Sequence, residues 1–203
     1  MEIDGRAVPC AKIILLGELG VGKTSILTKS SVPPPKTNIG ADFHCETLSV
    51  TERGVTRRVT LQLWDTAGME RFMYLSRAYY RHVHCCVLVF AVDDMNSFKS
   101  LEKWRDEYLV NRNDDGTSPE EIQLVVVGNK IDLDGTRVVD KAEASKYCYD
   151  RGLIYIETSA KDGTNLDELY RVIAQQALKK LEPDNSTVSL VPDYNANTTS
   201  YCW

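Results

Sequence analysis

The sequence predicts an α/β fold in three layers: a mostly parallel six-stranded sheet with one antiparallel edge strand and helices on both faces. Three observations predict it. Short apolar runs alternate with helical patterns along most of the chain, the arrangement that gives a parallel sheet covered on both sides. Segments 43–50 and 58–64, rich in Thr, Val and Leu, flank Thr51-Glu52-Arg53-Gly54, a glycine-bearing turn that suits a hairpin and supplies the antiparallel edge. Residues Gly17 to Thr24 read Gly-Glu-Leu-Gly-Val-Gly-Lys-Thr directly after Ile13-Ile14-Leu15-Leu16, so a Gly-rich loop leaves a buried strand and enters a helix.

In order, a strand over 11–16 feeds that loop and a helix over 23–30, which Pro33-Pro34-Pro35 cannot extend. After the hairpin come strands over 86–92, 123–127 and 154–157, each followed by a helical pattern over 97–110, 140–151 and 165–181. Asp140 with Glu143 three residues on reads as a capping box in its Asp form, and Asn96 and Asn165 are cap candidates for the other two helices. Ligands of such sheets bind beyond the carboxyl ends of the strands, where the Gly-rich loop lies. In 203 residues, 43% of them hydrophobic, one domain with a substantial core suffices.

Composition excludes several classes. A net charge of −5 without a Lys/Arg cluster argues against a nucleic-acid face. The six cysteines, at 10, 45, 85, 86, 148 and 202, show no metal-binding or Cys-x-x-Cys spacing and read as reduced thiols of a cytosolic chain. The strongest apolar run, 85–92, is too short to cross a bilayer, and Met1-Glu2-Ile3-Asp4 lacks the basic start of a signal peptide.

The loop's chemistry points to a nucleotide. Gly17 and Gly22 let the backbone curl until N–H groups converge on phosphate oxygens, with Glu18, Leu19, Gly20, Val21 and Ser25 completing the cradle. Lys23 adds a point charge, and Thr24 offers a hydroxyl to Mg²⁺. Asn129-Lys130-Ile131-Asp132, after the 123–127 strand, selects the base. The Asp132 carboxylate can accept from N1–H and the 2-amino group of guanine together, whereas adenine presents a lone pair and no amino group there. A site built on such a pair rejects the wrong partner by about 10⁴ to 10⁵. Thr158-Ser159-Ala160-Lys161 follows the 154–157 strand, with the Ala160 N–H placed for guanine O6. Finally, Trp64-Asp65-Thr66-Ala67-Gly68-Met69-Glu70 follows the 58–64 strand. Asp65 there would hold Mg²⁺ through a water, and Gly68 would let a backbone N–H reach the γ-phosphate.

On these motifs, residues 10–181 resemble a Ras-superfamily G domain of the P-loop NTPase class. Ile39-Gly40-Ala41-Asp42-Phe43, Leu61-Gln62-Leu63-Trp64-Asp65-Thr66, Glu70-Arg71-Phe72 and Tyr79-Tyr80-Arg81 resemble the stretches that mark Rabs. Ala41, Cys85-Cys86-Val87-Leu88-Val89-Phe90, Trp104-Arg105-Asp106-Glu107 and Gly128-Asn129-Lys130-Ile131-Asp132-Leu133 are similar to the late-endosomal, Rab-seven-like branch. The resemblance implies a monomeric GTPase switch of vesicle and endosomal traffic that binds GTP or GDP with Mg²⁺. It also implies effectors that read the GTP form, an exchange factor and an activating protein, and a location in the cytoplasm or peripheral on endomembranes.

Three positions depart from the family pattern, all at the γ-phosphate end. Met69 stands where the family has the Gln that orients the attacking water, and a thioether cannot do so. Leu19 replaces the Gly or Ser of the loop and crowds the space an arginine finger needs. Asn38 stands where the switch Thr ligates Mg²⁺, and offers a carbonyl oxygen of different reach. Gly68 and Lys23 keep their catalytic places. Unassisted hydrolysis in such proteins is only about 10⁻⁴ to 10⁻³ per second, so the expectation is a switch with very slow turnover. The alternative is a nucleotide-binding scaffold or locked pseudo-GTPase, and a glutamine supplied in trans by a partner is a third possibility.

Phe43, Trp64 and Tyr79 match the aromatic triad that Rabs show their effectors, with Met73 and Leu75 adding apolar area. A strand-core role for Trp64 stays open beside that reading. His82 and His84 read as ordinary helix-end residues. Residues 1–9 form an N-terminal extension, and 182–203, without Lys or Arg, a disordered tail. Cys202 is the tail's candidate lipidation residue, yet only Trp203 follows it, and a Cys-a-a-X box would need Cys at position 200, which is Ser.

Overall fold

The computed structural model describes residues 8–28, 43–52, 54–65, 77–112 and 122–181. The sheet order is β2-β3-β1-β4-β5-β6, with β1 Cys10–Leu16, β2 Phe43–Glu52, β3 Val55–Trp64, β4 Val83–Ala91, β5 Leu124–Asn129 and β6 Ile154–Glu157. Five strands run parallel, and β2 is the antiparallel edge, in register with β3 from Phe43↔Trp64 to Glu52↔Val55. The fold is therefore the one expected.

The central strands are apolar on both faces because both faces are covered. Ile13, Leu15, Cys85, Val87, Val89, Val125 and Val127 pack under helix α1 (Lys23–Thr28) and helix α5 (Leu166–Leu181). Ile14, Leu16, Cys86, Leu88, Phe90 and Val126 pack under helices α2 (Met95–Lys99), α3 (Leu101–Asn111) and α4 (Lys141–Tyr149). Tyr170 of α5 donates its hydroxyl to the Ile26 carbonyl at 2.9 Å and so pins α1 to the same layer. No helix among the described residues is long and apolar enough to cross a membrane.

The hairpin strands meet closer to the turn than expected, reaching Glu52 and Val55, with Gly54 at φ +81°. Cross-strand hydroxyl pairs Thr51–Thr56 and Thr47–Thr60, both 2.9 Å, extend the pairing. The single helix read over 97–110 is two, divided at Ser100, whose ψ of −9° lies far from the helical value of about −42°. Its cap is Asp94 rather than Asn96: the Asp94 carboxylate accepts from the Asn96 N–H at 2.9 Å. Asp140 caps α4 through the Ala142 N–H at 2.6 Å. Asn165, at φ +59°, instead donates its side-chain amide to the Glu157 carbonyl at 2.8 Å.

His84 belongs to β4, not to a helix end. The β1–β4 register slips between Lys12 and Ile13, so His84 is the extra residue, and its Nδ1 accepts the Lys12 N–H at 3.0 Å. Of the expected segments, most of the extension (1–7), the loop with Asn38, residues 66–76 with Gly68 and Met69, and the tail with Cys202 lie outside the described residues.

Candidate nucleotide site

The carboxyl ends of β1, β4, β5 and β6 open onto a groove of about 810 Å³ lined by Gly20, Gly22, Ser25, Thr28, Asn129, Lys130, Asp132, Leu133, Ala160 and Lys161. Residues from three separate motifs of the sequence thus meet at one mouth. The Gly-rich loop can turn only because of its glycines. A Cβ on Gly17 would lie 2.1 Å from the Val89 carbonyl oxygen, and one on Gly22, at φ +97°, 2.3 Å from Asn129 Nδ2. Within the curl, Lys23 is 3% exposed and its ammonium donates to the Gly17 and Glu18 carbonyls at 2.7 and 2.9 Å. Leu19 stands at the outer bend, 71% exposed.

Next to one end of the lining, between Gly22 and Ser25 in the chain, the Thr24 hydroxyl donates to Asp65 Oδ2 at 2.6 Å. Two hard oxygen donors, one just past β3 and one from α1, brought within one hydrogen bond of each other next in the chain to the buried Lys23, fit a Mg²⁺ bound to phosphate. Trp64, one residue earlier, is half-buried against the second core layer. Tyr79 meets it edge-on, with centroids 6.0 Å apart, and Lys12 Nζ lies 4.6 Å from its ring centroid. Two members of the aromatic triad therefore touch. The backbone of Phe43, the third, pairs with Trp64.

At the other end Asn129 is the last residue of β5, not a loop residue, and is 1% exposed. Its Nδ2 donates to the Val21 carbonyl at 2.8 Å, while its Oδ1 accepts the Ala160 N–H at 3.0 Å and the Thr158 hydroxyl at 3.2 Å. One amide therefore ties the phosphate-type loop to the segment after β6. The Ala160 N–H expected to face guanine O6 is the same donor, so a base oxygen there would share it.

Asp132 lies on the 3-10 turn Ile131–Thr136 and enters it from Lys130, which takes the left-handed φ of +69°. The Ser159 hydroxyl donates to Asp132 Oδ1 at 2.7 Å and orients the carboxylate. The Lys161 ammonium is 3.5 Å from Oδ2, but its side chain is 77% exposed, so this pair contributes little beside the hydroxyl bond. Lys130 Nζ lies 3.6 Å from Asp93 Oδ1.

Sequence reasoning missed Thr28 and Leu133 in the groove lining. Thr28 had a signal, standing one helical turn after Thr24 on the same face of α1. It also missed Asp93, Arg137 and Glu157, and the bond of Thr158 to Asn129, whose roles arise from contacts between segments far apart in the chain.

Comparison with known proteins agrees with this geometry. The Ras family profile matches residues 12–179. Rab7A of Mesembryanthemum crystallinum is 45% identical over 183 residues, covering 87% of this chain and 85% of that protein. Rab7 of Drosophila melanogaster is 42% identical over 196 residues, covering 94% and 91%. The Ypt/Rab-type GTPase ypt7 of Schizosaccharomyces pombe is 38% identical over 209 residues, covering 98% and 99%. With Gly20, Gly22 and Ser25 lining one groove together with Asn129, Lys130, Asp132, Ala160 and Lys161, the chain belongs to the Ras family and, within it, to the Rab7-like small GTPases.

Proposed function

We propose that this chain is a guanine-nucleotide switch of the Rab type, acting in endosomal membrane traffic, whose GTP form recruits effectors and whose own hydrolysis is very slow. The observation that carries the nucleotide half is one groove lined by Gly20, Gly22 and Ser25 together with Asn129, Asp132 and Ala160, with Lys23 and Thr24 adjacent in the chain to that lining, Asp65 bonded to Thr24, and Ser159 bonded to Asp132. In this reading the curl from Gly17 to Gly22 and the Lys23 ammonium take the phosphates, and Ser25 and Lys130 line the path to the base. Asp132, oriented by Ser159, accepts from guanine, while Thr24 and Asp65 hold Mg²⁺, with Asn38 as a further oxygen donor. Magnesium, when bound, neutralises charge developing on the transferred phosphoryl group.

Slow turnover follows from chemistry at three positions. Met69 has no group that can orient a water, Asn38 alters a metal ligand, and Leu19 presents a branched apolar side chain at the loop's outer bend. The same observations favour a second reading, a locked GTP-bound interaction module without meaningful turnover. The two separate on the nucleotide content of purified protein, where trapped GDP supports turnover and trapped GTP the locked form. Effectors, an exchange factor and an activating protein would meet the surface around Phe43, Trp64 and Tyr79, and membrane attachment would run through the tail with Cys202. The protein is expected to act as a monomer with a single domain over 10–181.

Calorimetry with Mg²⁺ present tests the core of the proposal. Strong heats for GDP and GTP and none for ADP or ATP are expected. Equal heats for the guanosine and adenosine nucleotides would end it.

A further inference from the structure

Arg137 follows directly on the 3-10 turn that carries Asp132. Its guanidinium makes a two-bond fork to Glu157, Nη1 to Oε1 at 2.9 Å and Nη2 to Oε2 at 3.3 Å. Nε donates to Asp134 Oδ1 at 3.0 Å, and Nη1 also reaches the Val139 carbonyl at 3.3 Å. With side chains 20% and 10% exposed, the Arg137–Glu157 pair is shielded from water, unlike the exposed pair at Asp132.

Glu157 Oε1, which accepts from Arg137 Nη1, is held by a second donor as well. It accepts the Tyr155 hydroxyl at 2.9 Å, and that hydroxyl sits where a Cβ on Gly128 would approach within 2.8 Å, directly under the residue before Asn129. Glu157 also opens the segment Thr158-Ser159-Ala160, which holds Asp132 and Asn129. The Ile131 N–H donates to the Thr158 carbonyl at 3.2 Å, so the two segments also meet through backbone. One guanidinium therefore joins the roots of both base-facing segments while touching neither the groove lining nor any ligand position.

We propose that Arg137 is a positioning residue for base discrimination: its fork to Glu157 fixes the Asp132 segment against the Ser159–Ala160 segment so that one carboxylate meets both N–H groups of guanine at once. This inference rests on the guanine reading above. Two simultaneous hydrogen bonds demand tighter placement than one. Loosening the brace therefore costs guanine more than hypoxanthine, which keeps N1–H and lacks the 2-amino group.

The test compares GDP and inosine diphosphate affinities, with Mg²⁺, in the parent and in Arg137→Gln and Arg137→Lys. Arg137→Gln is expected to weaken GDP about tenfold and inosine diphosphate about threefold or less, so that the preference for GDP falls. Arg137→Lys keeps the charge without the fork and should fall between. A residue that only supports the fold would weaken both nucleotides equally. An unchanged preference, or an unchanged GDP affinity, overturns the proposal. Thermal melts establish which variants are folded, and if Arg137→Gln is not, Arg137→Lys and Glu157→Gln carry the same comparison. A parent that binds ADP as well as GDP would instead defeat the guanine reading itself, a result separate from these.

Discussion

The two ends of the groove differ in what holds them. Around the base-facing end, Asn129, Ser159, Thr158, Arg137 and Glu157 form a web of side-chain bonds between 2.7 and 3.3 Å, most of them shielded from water. In the proposed function this end also holds the residues that would read a guanine, Asp132, Ser159 and Ala160. The phosphate end has its anchors, Lys23, Thr24 and Asp65, while Leu19, 71% exposed on the Gly-rich loop, is the one described position there that departs from the family pattern; Asn38 and Met69, assigned to that end from the sequence, lie outside the described residues. The contrast teaches that holding a nucleotide and consuming it are separable. In the proposed function, recognition rests on groups fixed before the ligand arrives, while turnover needs groups that meet a water and a leaving phosphate, and substitutions there are expected to leave affinity intact.

The largest break in this contrast comes from removing the shared anchor. Lys23→Ala deletes a buried charge and leaves the Gly17 and Glu18 carbonyls without its donors, so GDP affinity should fall by about a thousandfold in calorimetry. Gly22→Ala tests whether the two ends are mechanically joined. The added methyl meets Asn129 Nδ2 at a backbone φ of +97°, so unfolding free energy should drop by about 2–4 kcal/mol in denaturant titration. A loss under 1 kcal/mol would show that the Asn129 tie yields easily.

Met69→Gln sharpens the contrast, because restoring a water-orienting amide should raise single-turnover GTP hydrolysis about tenfold or more while GDP affinity stays within about twofold. A parent that already hydrolyses at the rate of ordinary Rabs, with nothing gained by the variant, would dismiss slow turnover. The smallest effect concerns pH. Burial pushes the Cys85 thiol up to about 12 and raises its neighbour Cys86 too, against an ordinary value of 9.0. Their unfolded thiols ionise first, so the folded state holds more protons above about pH 9, and stability present below that pH is lost as pH rises towards 12. Denaturant midpoints should decline from pH 8.5 to 10.5, with a shallower decline in Cys85→Ala. An equal slope would assign the decline to other groups.

Most of the scaffold was legible because its signals are local. Apolar runs of strand length marked β1, β4, β5 and β6, and the Gly54 turn marked the hairpin. The groove's anchors were legible for the same reason, since Gly17–Thr24 and Asn129–Asp132 are contiguous. What escaped was set by distance along the chain. Nothing near Arg137 announces a carboxylate twenty positions on, and nothing near His84 announces that a register slip would turn a histidine into an acceptor for Lys12. The division of 97–110 at Ser100 escaped because serine is an ordinary helix residue. Its departure comes from Ser97 and Asp94, where the Ser97 hydroxyl accepts the Ala91 N–H at 3.0 Å and donates to the Asp94 carbonyl at 2.7 Å, anchoring that turn to β4.

The Asn129 amide has a consequence for biosynthesis. It bonds backward to Val21 and forward to Ala160, so a ribosome must release the chain through Ala160 before the ligand cleft can close. Until then a translating chain carries its Gly-rich curl without its latch, and the cell's supply of guanosine nucleotides can lend stability only to polypeptides that are nearly finished.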